Sequence, residues 1–165
     1  MNTLLRTHYG AAQLSAGQIV KDPVLLLAFG FGSGLAKYAP GTFGTLAALP
    51  IYWALQQLPW SGYFVSTLIL TLIGIPICRY AADQLAVHDF GGIVWDEIAG
   101  FLITLLWIDA SWLHVVEGFA LFRAFDIIKP WPIRWLDRRI HGGLGIMLDD
   151  VAAGLAAAAM LAVIN

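Results

Sequence analysis

A chain of 165 residues, 59% hydrophobic and only 12% charged, is long enough for one domain but too apolar for an ordinary soluble one, which carries roughly a quarter charged residues. Its mean hydropathy of +0.76 points to a bilayer as the main solvent. A formal net charge of −2 excludes a nucleic-acid partner, and the single cysteine, Cys78, excludes an intramolecular disulfide.

Residues 1–22 lack the continuous apolar core of a signal peptide and are expected to form an uncleaved N-terminal cytoplasmic segment. Pro23 to Leu35 is apolar but too short to span, and Gly30, Gly32 and Gly34 interrupt it, which predicts a re-entrant or interfacial segment. Five candidate spans follow. The first runs from Phe43 to Leu58 with a kink at Pro50, and "PWSG" at 59–62 turns the chain. The second runs from Tyr63 to Tyr80 and the third from Ile93 to Ile108, where "DAS" at 109–111 turns the chain again. The fourth runs from Trp112 to Ile128, stopped by Pro130, and the fifth from Ile146 to Ile164. Several are short for a full crossing, which suits a locally thinned membrane. The expected fold is all-α: one integral-membrane domain over residues 1–165, with a polytopic bundle of about five spans and the re-entrant segment making up residues 23–165.

Basic residues orient this bundle. Arg6, Lys21 and Lys37 precede the first span and Arg79 ends the second. Arg123, Lys129, Arg134, Arg138 and Arg139 lie between the end of the fourth and the start of the fifth. The turns at 59–62 and 109–111 carry none. The positive-inside rule then puts the N-terminus in the cytoplasm and the C-terminus outside.

On this map the acids cluster. Asp96 and Glu97 lie about one turn into the third span, Asp126 lies in the last turn of the fourth, and Asp149 and Asp150 open the fifth, all toward the cytoplasm. One unpaired charge in the membrane core costs about 2.5 to 3.5 kcal/mol on insertion scales. Five carboxylates at one depth would also repel one another. A hard divalent cation resolves both problems, so the set points to Mg²⁺ with Glu97, Asp126, Asp149 and Asp150 as ligands and Asp96 as a further catalytic acid. The competing reading pairs these acids with Arg123, Lys129 and Arg134. Asp83 and Asp89 are ambiguous, Asp137 reads as a surface partner of Arg134 and Arg138, and Glu117 lies toward the far side, away from the cluster.

Two further stretches look suited to phosphate. In "GSGLAKYAPGTFGTLAALP", Gly32, Gly34, Gly41 and Gly44 allow close backbone approach, and Pro40 opens a helix. Ser33, Lys37, Thr42 and Thr45 add donors and one positive charge. The ending of a Walker loop is missing, and a tight corner between membrane segments explains the glycines equally well. In "FRAFDIIKPWPIRWLDRRIHGG", Arg123, Asp126 and Lys129 share one helix face, so the two cations can clamp a phosphate, with Arg134 near them. Trp131 and Trp135 among Arg134, Arg138 and Arg139 form an interfacial belt. His88 and His141 are candidate general acids or supporting donors. Carboxylates, a cation and phosphate-sized donors at one membrane face predict chemistry on a phosphorylated lipid, with water as the nucleophile.

The strings "GFGSGLAKYAPGTFGTLAA", "IVWDEIAG" and "FRAFDIIKPWPIRWLDRRIHGGLGIMLDDVAAG" together resemble phosphatidylglycerophosphatase A of bacteria, from about Pro23 to the C-terminal helix. The resemblance implies a magnesium-dependent, multi-pass inner-membrane enzyme facing the cytoplasm. Its implied reaction removes the terminal phosphate of phosphatidylglycerophosphate, leaving phosphatidylglycerol and inorganic phosphate. The family's acidic motifs fall on Asp96 and Glu97 and on Asp149 and Asp150, and its arginine–aspartate–lysine block on Arg123, Asp126 and Lys129. Two other classes fit less well: a cation- or proton-coupled transporter, which would need a polar path to both faces, and a lipid-headgroup phosphotransferase, whose acidic block is missing. Membrane lipids are expected partners, and the sequence leaves the oligomeric state open.

Overall fold

Capping residues and prolines divide the chain into helices. Ser15 opens α1 (Ala16–Lys21) with a capping box shared with Gln18. The Asp22 carboxylate accepts from the Val24 and Leu25 amides at 2.8 and 3.1 Å, and Pro23 takes the first position of α2 (Pro23–Ala28). A 3₁₀ turn (Gly30–Leu35) then reverses the backbone through positive φ at Gly30, Phe31 and Gly32. The expected re-entrant segment is thus a short helix and a left-handed turn. α3 (Pro40–Leu55), α4 (Trp60–Leu85), α5 (Trp95–Thr104), α6 (Trp112–Ile128), α7 (Ile133–Arg139) and α8 (Gly142–Ile164) complete the order. This computed structural model describes residues 14–87, 90–108 and 111–165, and those residues contain no strand.

Of the five expected spans, α4 and α8 are long and apolar enough to cross a bilayer. α3 and α6 have 16 and 17 residues, and α5 only 10. At 1.5 Å per residue α5 rises about 15 Å, half of a hydrocarbon core of about 30 Å. α6 keeps the expected bounds. α4 runs past both of its expected ends, because Pro59 sits at its N-cap and the helix continues through Pro76 to Leu85. α8 begins at Gly142, four residues earlier than expected, so Asp149 and Asp150 lie about two turns inside it and not at its mouth.

The short α5 is the central element. Trp95, Ile98, Ala99, Phe101, Leu102 and Ile103 are all buried. It lies against α8 at a glycine crossing. A Cβ on Gly100 would come 2.7 Å from the Asp150 carbonyl, and one on Gly154 would come 3.2 Å from the Gly100 Cα. Small residues at such crossings let two backbones touch, which is the way apolar helices associate without help from water. Because α5 ends inside the protein, its last carbonyls need partners. The Tyr63 hydroxyl donates to the Leu102 carbonyl at 2.9 Å, and just beyond the helix the Trp60 indole N–H donates to the Leu106 carbonyl at 3.1 Å.

Candidate active site

The opposite end of α5 carries the acids. The Val94 amide donates to the Ala28 carbonyl at 2.8 Å, which ties the start of α5 to the end of α2. Asp96 and Glu97 fill the first turn of α5, where a helix favours negative charge. The Asp96 carboxylate accepts the Glu97 amide at 3.1 Å. From α8, Asp150 reaches the same point, where the glycine crossing holds the two helices close. Asp96, Glu97 and Asp150 each offer an oxygen within 4.8 Å of the others. Asp96 and Asp150 are only 8% and 3% exposed. Glu97 Oε2 is buried without a hydrogen-bond partner. An orphaned carboxylate oxygen beside two more carboxylates is costly unless something positive joins them. Three carboxylate oxygens that converge from two helices fit a hard divalent cation such as Mg²⁺.

α6 closes the site. Arg123 Nη1 lies 2.7 Å from Asp126 Oδ2 and 3.8 Å from Glu97 Oε1, with all three side chains largely buried. Asp126 thus stands beside the acids, joined to Glu97 through Arg123. The N-terminal turn of α3 covers this pair: a Cβ on Gly41 would strike Glu97 Oε1 and come 3.0 Å from Arg123 Nη1. Only glycine leaves the arginine and glutamate where they are, which gives the sequence signal at Gly41 a physical content.

Asp149 points elsewhere, although it adjoins Asp150. Its carboxylate accepts from the Lys129 ammonium at 2.5 Å, and Asp137 accepts from the same ammonium at 2.7 Å. Burial works against the Lys129 charge, but these hydrogen bonds outweigh it and raise the Lys129 pKa. Asp137 is therefore the partner of Lys129, which corrects its expected pairing with Arg134 and Arg138. Sequence spacing hid this because Lys129 has a φ of +43° and the chain turns through Pro130 and Pro132 before α7, so helical periodicity does not carry across. Asp83, ambiguous in sequence, forms an exposed i,i+4 pair with Arg79 at 3.9 Å.

The expected phosphate donors divide. Thr42 is half-buried on the first turn of α3, beside Gly41. Thr45 is fully buried and donates its hydroxyl to the Gly41 carbonyl at 2.8 Å, so its proton holds the α3 turn. The Ser33 hydroxyl is buried without a hydrogen-bond partner and lies 2.6 Å from where a Gly30 Cβ would be. Lys37 is exposed and sits over the Tyr38 ring at 5.2 Å. Arg134 is exposed and donates to the Ile128 carbonyl at 3.2 Å, apart from the acids. His141 is the exposed N-cap residue of α8, and His88 lies outside the described residues.

Fold and site define a class: an all-helical protein in which carboxylates from three helices gather, largely buried, beside one arginine. The sequence pattern of the family described as Phosphatidylglycerophosphatase A matches residues 26–165. The chain is 47% identical over 143 residues to Phosphatidylglycerophosphatase A of Escherichia coli (strain K12), covering 86% of this chain and 83% of that one. It is 45% identical over 136 residues to Phosphatidylglycerophosphatase A of Haemophilus influenzae, covering 81% and 83%. No solved structure matches. The chain belongs to the phosphatidylglycerophosphatase A family and is a phosphatase, a phosphoric monoester hydrolase. That membership decides against the transporter and phosphotransferase readings.

Proposed function

We propose that this protein hydrolyses the terminal phosphate of phosphatidylglycerophosphate to give phosphatidylglycerol and inorganic phosphate, with Mg²⁺ as its cofactor. The observation that carries the reading is the meeting of Asp96, Glu97 and Asp150 within 4.8 Å, with a partnerless Glu97 oxygen among them. The names of the two relatives supply the lipid.

Asp96, Glu97 and Asp150 would hold the ion, with Asp126 at their edge. When bound, Mg²⁺ neutralises charge on the phosphoryl oxygens and makes water more acidic. Arg123 meets the remaining phosphate charge, and Asp126, 2.7 Å away, fixes its guanidinium in place. Lys129 holds Asp149 away from Asp150 and so keeps one carboxylate out of an already crowded centre. The water oxygen bonds to phosphorus and gives up one proton to a carboxylate of the cluster, the bond from phosphorus to the glycerol oxygen breaks, and that oxygen takes up a proton in return. His88 and His141 are the candidate donors.

In this reading α4 and α8 cross the inner membrane and the shorter α3 and α6 complete a bundle in a thinned bilayer. α5 occupies half the depth, with its acidic end toward the cytoplasm, where the arginines and Lys129 also lie. Phosphate release from phosphatidylglycerophosphate by the purified protein tests the proposal. Release that stops on chelation and returns with added Mg²⁺ is the expected result. Release unchanged by chelation would sink the metal assignment, and no release from this lipid would sink the substrate.

A further inference from the structure

The helix α7 presents a cationic groove that the proposed reaction does not use. Ile133 is 2% exposed and fixes one face of α7 to the protein. The other face carries Arg134, Arg138 and Arg139, all exposed. The acid that sequence placed between them, Asp137, is taken by Lys129 at 2.7 Å. Among the described residues no carboxylate lies within ion-pair distance of the three arginines, whereas Arg79, Arg123 and Lys129 all have one. Arg134 donates to the Ile128 carbonyl, and Arg139 lies over the Trp135 ring at 5.8 Å. Between the arginines and Trp131, which is 83% exposed, runs a groove of about 480 Å³.

From this juxtaposition we propose that the α7 groove is a second lipid site, which binds the phosphodiester headgroup of an anionic phospholipid from the surrounding leaflet without hydrolysing it. Three unneutralised guanidinium groups supply charge and donors for a phosphate. Two tryptophans, with Ile127 and Ile128 also exposed, supply the apolar surface that belongs at the headgroup level of a bilayer. A soluble anion would need only the arginines. Among the described residues no carboxylate lines the groove to hold a cation or prepare water, which makes it a place of binding and not of turnover. The inference rests on the reading of the chain as a membrane protein, but not on its catalytic activity.

The full-length protein in detergent, with divalent ions chelated, can be titrated with phosphatidylglycerol and with phosphatidylcholine and the bound lipid counted by native mass spectrometry. At about 1 kcal/mol per basic residue near an anionic surface, the three arginines should make wild type prefer phosphatidylglycerol on the order of a hundredfold. R138Q/R139Q, which keeps Arg134, should bring that preference down to about fivefold, and R138K/R139K, which keeps the charge, should retain most of it. Loss of preference in the glutamine variant alone supports the site. A wild type without preference, or a glutamine variant that keeps it, overturns the proposal. Displacement of the lipid by equimolar inorganic phosphate would also overturn it, in favour of a free-phosphate site. Phosphate release, assayed separately on wild type, keeps the two readings apart: a protein that selects phosphatidylglycerol but releases no phosphate sinks the proposed reaction and leaves this site standing.

Discussion

The two ends of α5 sit in the same protein interior and treat polar groups in opposite ways. At the C-terminal end the polar contacts are structural: Tyr63 and Trp60 donate to the Leu102 and Leu106 carbonyls, and the Thr104 hydroxyl donates to the Gly100 carbonyl at 3.0 Å. At the N-terminal end three carboxylates face one another, and one Glu97 oxygen is buried without a partner. A helix end that is only structural satisfies its polar groups internally. One that is prepared for a ligand leaves some of them waiting.

Substitutions at the two ends should therefore separate activity from stability. The largest effect is expected from Glu97→Gln, or equally Asp150→Asn: a roughly 10³-fold loss of phosphate release with Mg²⁺ present, by analogy with the removal of one charge-stabilising group. The thermal transition in detergent should stay or rise, because one of several crowded like charges has gone. Near-wild-type turnover in both variants would break the comparison. Next comes Gly41→Ala, whose methyl group must displace Glu97 or Arg123. A displacement of about 1 Å at a reacting centre costs on the order of 10²-fold in turnover, so steady-state kinetics should show a fall in kcat with the protein still folded.

At the other end, Tyr63→Phe leaves the Leu102 carbonyl unpartnered and should cost about 1 to 3 kcal/mol of stability, while kcat stays within about twofold. Denaturation curves read alongside phosphate release check both halves of that statement. The smallest effect is expected from Asp83→Asn, which breaks an exposed pair worth roughly 0.2 to 1 kcal/mol. A large loss of activity there would place the working surface of the protein on the wrong side of α4.

Much of the fold was legible along the chain. The span Trp112–Ile128 matches α6 because Ser111 caps it and Lys129 and Pro130 end it, all local signals. The glycines after Pro23 marked a break in the helix, because positive φ at Gly30 and Gly32 is a local property. The helix starting at Gly142 was less legible, since the run "HGGLGIM" looks like a turn and becomes helical only where Gly143 can lie against the Ile75 carbonyl of α4. The acid cluster itself could be read, but not the division of labour within it. Neighbouring residues on a helix point about 100° apart, so Asp149 and Asp150 cannot face one ligand equally. Which of them turns inward depends on where α5 and Lys129 stand.

The sequence by itself determined that this protein is helical and apolar, that its acids recur at one end, and that its motifs resemble those of a single family. These follow from composition, periodicity and local strings, which need no knowledge of neighbours. Only the tertiary structure decided that α5 is a half-length central helix, that Asp150 and not Asp149 meets Asp96 and Glu97, and that Asp137 pairs with Lys129 and not with the α7 arginines. Each depends on distances between segments far apart in the chain, which are fixed by the close glycine packing of α5 on α8 and by the turn at Lys129.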